Sequence, residues 1–260
     1  EGRCSLYVLS FGKADLIVAK ETYTITEDGQ QACVGQEYSR WSFDLETGEM
    51  VELMTDTDGI LPYMYGVWED IAVYQTVKTV EGAPEFEEWI MQQPEGTTSY
   101  QYGLQYYKYR VYSKNLKTGE EKTIVDESEN FVWTADPHMS WGQYVVYQID
   151  RSVYVYDMET QTSKKLFTHE PGWDFYNYMI LDGHVMVIGG TEDTCRAWAI
   201  DIMDGSVVEL DTCGENVVAF SAHYECNGYF VGLLHASNNA DQYYISKEDF
   251  YRSNYDGAFR

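Results

Sequence analysis

One polar turn recurs along this chain, each time between two short runs of alternating apolar residues. FDLETGE (Phe43 to Glu49), KNLKTGE (Lys114 to Glu120), YDMETQT (Tyr156 to Thr162) and IDIMDGS (Ile200 to Ser206) align at the turn, and SNYDGAF (Ser253 to Phe259) fits more loosely. Each places Asp or Asn ahead of the turn. At the position that needs left-handed backbone stand Gly48, Gly119, Gln161, Gly205 and Gly257. That chemistry predicts a three-residue hairpin with a bulge.

The stretch around the third turn, QYVVYQIDRSVYVYDMETQTSKKLF (Gln143 to Phe167), shows the unit that carries it. Its apolar residues alternate in three runs broken at Asp150-Arg151 and at Glu159-Thr160-Gln161, the pattern of a half-buried antiparallel meander. Repeats of about 40 to 50 residues with about four strands each predict an all-β fold, a β-propeller. Five blades are legible: 4–54, 60–125, 131–167, 175–210 and 217–260. All 260 residues are expected to form one domain.

The interval between the first two turns is long because residues 81–105, EGAPEFEEWIMQQPEGTTSYQYGLQ, interrupt the second blade. Its prolines and glycines predict an inserted loop, with at most a short helical turn over 85–92. Loops of this length in compact domains are often functional. The last blade reaches Arg260 just past its turn. Either an N-terminal segment closes a five-bladed ring, or the chain is a fragment of a larger propeller. A first residue of Glu rather than Met reads as a processed or trimmed product.

Composition narrows the partners. Against 43 Asp and Glu stand 17 Lys and Arg, a formal net charge of -26, a field that repels nucleic acid and anionic membrane surfaces. No apolar run approaches the length of a membrane-spanning helix. The five cysteines show no metal-ligand spacing, and Asp56-Thr-Asp58-Gly59 has only half the ligands of a calcium loop, so no metal or cofactor is expected. Cys195 and Cys213 stand at equal distances from the fourth turn when Ile202 and Ser206 flank it. We expect them to lie opposite one another and form a cross-strand disulfide.

Pro137-His-Met-Ser140-Trp-Gly-Gln-Tyr-Val-Val-Tyr, with Phe250-Tyr-Arg-Ser-Asn-Tyr-Asp-Gly as a second instance, resembles the blade motif of TolB-type propellers and related secreted bacterial propeller repeats. In that family an inner strand, a Pro-x-x-Ser turn and an apolar strand precede an Asp-x-x-x-Gly hairpin. The resemblance covers nearly the whole chain. It implies a propeller fold, a binding role and an extracellular or bacterial envelope location, secreted or lipid-anchored.

Aligning the blades on their second strands makes Tyr65, His138, Tyr178 and His223 equivalent, with Tyr63, Asp136, Tyr176 and Ser221 two residues earlier. Because strand side chains alternate faces, this set is expected on one face, lining the mouth of a central channel. Tyrosine offers a flat apolar body with a polar tip, suited to a peptide or a sugar. Paired carboxylates of a glycoside hydrolase are not evident, since Asp136 alone cannot serve as both acid and nucleophile. Gly-x-Ser-x-Gly, phosphate-loop and His-Glu-x-x-His strings are absent. No catalytic residue is assigned. The expected function is non-catalytic: a propeller presenting its channel mouth and the 81–105 loop to a protein, peptide or glycan. A hydrolase acting on a polysaccharide and a structural assembly module are the alternatives.

Overall fold

A computed structural model describes the chain except residues 1, 9–12, 27–28, 57–62, 95, 128–130, 135–139, 172–173, 192–193, 213–219, 235–241 and 260. For some strand residues, 174–178, 195 and 221 among them, only the backbone is described. The chain divides into two compact units, 1–131 and 132–260.

The first unit holds two four-stranded antiparallel meanders. One runs β1 (Gly2–Val8), β2 (Lys13–Ile25), β3 (Gln31–Asp44) and β4 (Met50–Asp56). The other contains β5 (Tyr63–Trp68), β6 (Ile71–Thr79), β7 (Tyr107–Asn115) and β8 (Glu121–Val125), with α1 (Phe86–Ile90) and α2 (Ser99–Tyr106) between β6 and β7. Leu53 of the first sheet packs with Met64, Ala72, Tyr74 and Tyr112 of the second, so the two sheets share an apolar layer.

In the second unit the third sheet orders β10 (Ser140–Trp141), β11 (Tyr144–Ile149), β12 (Ser152–Asp157) and β13 (Thr162–Thr168), while β9 (Phe131–Thr134) also pairs β11. The fourth is β14 (Asp174–Leu181), β15 (His184–Thr191), β16 (Thr194–Asp201) and β17 (Val207–Leu210). The fifth is β18 (Phe220–Cys226), β19 (Tyr229–Leu234) and β20 (Gln242–Ser246). Val146, Val153 and Val155 of the third sheet pack on Val185, Val187 and Ile200 of the fourth. Met186, Ala197 and Ala199 of the fourth pack in turn on Phe220, Phe230 and Ile245 of the fifth. Each Val, Ile, Met or Phe side chain so removed from water contributes about 1.5–3 kcal/mol.

The recurring turn is four residues long rather than three. Asp44, Asn115 and Asp201 each donate their amide to the residue five positions on (2.9 Å in all three), and their carbonyls accept from Gly48, Gly119 and Gly205 at 2.8, 2.8 and 2.9 Å. Their side-chain oxygens take two further amides inside the turn, for example those of Glu46 and Thr47 on Asp44 Oδ1, both at 2.9 Å. Asp157 does the same with Glu159 and Thr160. An Asx residue thus satisfies amides that the turn withdraws from the ladder.

This longer turn moves the register of the fourth hairpin. Ala197 faces Leu210 and Ile200 faces Val207, so the ladder carries Cys195 toward Thr212 rather than Cys213. The expected alignment of the two thiols is therefore one residue off, and Cys213 lies outside the described residues.

The fifth repeat departs further. Ser253 to Phe259 is no strand-joining turn: Ser246 Oγ accepts the Asp249 amide at 3.1 Å and caps α3 (Lys247–Tyr251), followed by a 3-10 turn over Tyr255–Gly257. Glu248 and Asp249 in the first helical turn favour this start. Phe259 then exchanges backbone hydrogen bonds with Tyr244 at 2.7 and 2.9 Å. Gly257 serves close approach here, since a Cβ would meet Asp249 Oδ2 at 3.0 Å.

Lys247 joins two sheets. Its ammonium donates to Asp182 Oδ1 in the β14–β15 turn at 2.6 Å and to Glu225 Oε1 at 2.5 Å. Tyr251 donates to Asp182 Oδ2 at 3.2 Å and meets His184 Nδ1 at 3.0 Å. His184, whose Nδ1 also lies 2.7 Å from the Asp182 carbonyl oxygen, is a satisfied structural histidine.

A candidate binding surface on the second sheet

The 81–105 insert is folded, where a largely irregular loop was expected. Thr98 donates its amide to Gln101 Oε1 at 2.7 Å, a capping interaction that starts α2. Trp89 of α1 and Tyr102 of α2 are buried at 6% and 4% exposure, with ring centroids 5.2 Å apart. Phe86 lies edge-on to Tyr102 at 5.4 Å, and the Tyr102 hydroxyl donates to the Pro84 carbonyl at 2.5 Å. Burial, then the nearby Tyr107 and Glu85, push the Tyr102 phenol above its ordinary range. Gly103 lets the Tyr107 ring approach α2, since a Cβ there would meet Tyr107 Cδ2 at 3.0 Å.

The neck of the insert is closed. Val80 donates its amide to the Tyr106 carbonyl at 2.8 Å, continuing the β6–β7 ladder that pairs Thr79 with Tyr107. From this neck an aromatic file runs onto the sheet: Tyr102 to Tyr107 (5.5 Å) and Tyr107 to Tyr109 (6.4 Å). On β5 the Tyr63 ring lies 5.4 Å from that of Tyr65. The registers of β5 on β6 and of β6 on β7 place Tyr63, Val77, Tyr107 and Tyr109 on one face of the sheet. Tyr63 and Val77 are each 44% exposed, and Met91 and Leu104 on the insert are 78% and 64% exposed. Between Lys78 and Lys108 the sequence has five glutamates and no basic residue.

Tyr63 and Tyr65 behave differently, because β5 carries a bulge. Met64 pairs Tyr74 and Gly66 pairs Val73, leaving Tyr65 as the extra residue. The bulge breaks strict alternation, so Met64 and Tyr65 are both buried while Tyr63 is exposed. Tyr65 donates its hydroxyl to Gln75 Oε1, and burial, then Tyr63 and Tyr109, raise its phenol far above the ordinary value. Tyr65 is thus a supporting residue, not an exposed lining one.

Of the remaining expected lining residues, Asp136 and His138 lie outside the described residues. The backbone places Tyr178 opposite Val187, Tyr176 at a bulge between Phe175 and Asn177, and Ser221 opposite Leu233. Their side chains are not described. His223 is the bulged residue between Ala222 and Tyr224; it is exposed and borders an apolar cavity of about 40 Å³ between the fourth and fifth sheets.

A second projection went unrecognised in the sequence. Beyond Lys20 on β2 and before Tyr38 on β3 the described strands pair only with each other, forming a two-stranded ribbon that exposes Ile25 and Val34 at 67% and 61%. The alternation in Glu21-Thr-Tyr-Thr-Ile25 was its signal. Ribbon and insert both occupy the connection between second and third strands. In the third sheet that connection is only Asp150-Arg151. Among the described residues no three His, Cys, Asp or Glu side chains gather as metal ligands, and no helix is long and apolar enough to cross a membrane.

Antiparallel meanders, packed on their neighbours through apolar layers within each unit, make this an all-β protein of the β-propeller class. No family model matches the sequence, and no curated protein matches it. Among solved structures, the chain is similar to the β-propeller domain of the trilobed protease from Pyrococcus furiosus, with 10% identity and a TM-score of 0.47 over 95% of this chain and 69% of that one. It is similar to TolB from Acinetobacter baumannii at 13% identity and TM-score 0.37, covering 95% and 61%. An oligogalacturonate lyase from Vibrio parahaemolyticus aligns at 11% identity and TM-score 0.40, covering 96% and 83%.

Proposed function

We propose that this chain is a non-catalytic binding propeller of the cell envelope or exterior, which takes a protein, peptide or glycan on the second sheet and its insert. The observation that carries the reading is the aromatic file from Trp89 and Tyr102 to Tyr109, with exposed Tyr63 on the same sheet face and exposed Met91 and Leu104 on the insert. Exposed Tyr63 offers rigid aromatic contact area at little entropic cost, buried Trp89 and Tyr102 hold the insert in place, and the five glutamates of the insert favour an electropositive polypeptide among these ligands.

The closed neck allows a clean test. Residues 81–105 are replaced by a short Gly-containing turn joining Val80 to Tyr106, and both proteins are presented to arrays of Lys/Arg-rich peptides and of glycans. Saturable binding by the intact chain, lost on excision with the melting temperature retained, supports the proposal. Equal binding by both forms overturns the assignment to the insert. Turnover of a glycoside or peptide panel, abolished by Asp136→Asn, would replace a binding role with a hydrolytic one.

A further inference from the structure

We propose that the second unit carries a separate pocket for one neutral sugar ring, between the end of β13 and the outer part of β16. The cavity measures about 230 Å³ and is lined by Phe167, Thr168, His169, Glu170, Arg196 and Trp198. Pockets for drug-sized ligands begin at about 300 Å³, so this one suits a single ring.

Its walls are fixed before any ligand arrives. Trp198 is 7% exposed, with Phe167 at 5.4 Å on its ring and the Arg196 guanidinium 5.5 Å from its centroid. Arg196 is locked by two hydrogen bonds to Glu209, Nε to Oε1 and Nη2 to Oε2, both 2.7 Å. His169 is buried at 6%; its Nδ1 bonds the Glu170 carbonyl at 3.0 Å, which fixes the proton of the neutral ring on Nδ1. The Arg151 guanidinium holds the His169 carbonyl at 3.1 Å. Preorganised walls of this kind lower the cost of ordering on binding.

Charge selects the occupant. Arg196 is compensated by Glu209 and also feels Glu170, so the lining offers no net attraction for an anion. The Arg196 guanidinium, 5.5 Å from the Trp198 centroid, already holds the place a cation would take over the indole and repels a second one, and a purely apolar molecule would strip water from Arg196 and Glu170 at a cost. What remains is a neutral molecule with one apolar face for half-buried Phe167 and the small uncovered part of Trp198, and hydroxyls for the polar side, which describes a pyranose.

The test is saturation-transfer NMR and calorimetry on the full chain with D-glucose, D-galactose and N-acetylglucosamine, and with D-galacturonate and D-glucosamine as charged counterparts. We expect a neutral sugar to bind with a dissociation constant of about 1 mM and to be preferred about fivefold over its charged counterpart. Thr168→Trp, which fills the cavity from an exposed rim position, and Arg196→Gln should each weaken binding about tenfold or more, with the melting transition of Thr168→Trp retained. Absence of saturable binding by every neutral sugar up to about 50 mM, binding that survives both variants, or preference for a charged sugar would overturn the proposal.

Discussion

Gln161 holds a left-handed backbone, φ 52°, at the turn position where Gly48, Gly119 and Gly205 have φ 75°, 74° and 79°. A side chain in that region is strained, while glycine is not. Replacing Gln161 with Gly should therefore raise the unfolding free energy by about 0.5 kcal/mol. Gly48→Ala should lower it by about 1 kcal/mol through backbone strain alone, because nothing lies within 4 Å of the added carbon. Urea unfolding of the two variants checks both signs. At the same turn, burial raises the Asp157 carboxyl, but hydrogen bonds from Thr160 and Gln143 and from two amides outweigh it and hold it below the usual range. A carboxyl lowered by folding contributes stability at pH above its unfolded value, and that contribution is lost as pH falls through the folded one. Melting temperatures between pH 6 and 3 should fall less steeply for Asp157→Asn than for the parent; equal slopes would count against the turn's role. These Asx and glycine positions were legible in the sequence because turn chemistry is local. The bulge at Tyr65 was not, since the Met64–Tyr74 and Gly66–Val73 pairings that create it belong to two strands at once.

At the level of elements, the five meanders followed from alternation and turn spacing, whereas α2 was hidden by Gly103 and a run of tyrosines despite the Thr98/Gln101 pair that caps it. The last repeat misled for a related reason. Its Asp-Gly string resembled the earlier turns, yet the Ser246 cap and buried Phe250 commit the preceding residues to a helix. That helix brings Lys247 to Asp182 and Glu225. Burial pulls the lysine's pKa down, but hydrogen bonds and charge from the two carboxylates prevail and raise it. Lys247→Met keeps the aliphatic stem and removes the charge, leaving two carboxylates without their shared donor. We expect a loss of about 1–2 kcal/mol in urea unfolding, with faster amide exchange in the β14–β15 turn. No change in either would reduce the bridge to a surface contact.

For the molecule as a whole, a net charge of -26 opposes compaction. Added salt screens that repulsion over a distance of about 10 Å at 0.1 M. Scanning calorimetry from 20 to 300 mM NaCl should show the transition rising by about 2–4 °C, and a fall would indicate that ion pairs dominate. The same screening should weaken capture of a basic peptide, so binding and stability move in opposite directions with ionic strength.

The rung between Val80 and Tyr106 makes the second sheet a socket. Whatever sits beyond that rung can be exchanged while the ladder beneath keeps its pairing from Thr79–Tyr107 down to Ile71–Asn115. Recognition in such a scaffold can change by swapping a cassette of about twenty-five residues, at little entropic cost to the strands that carry it.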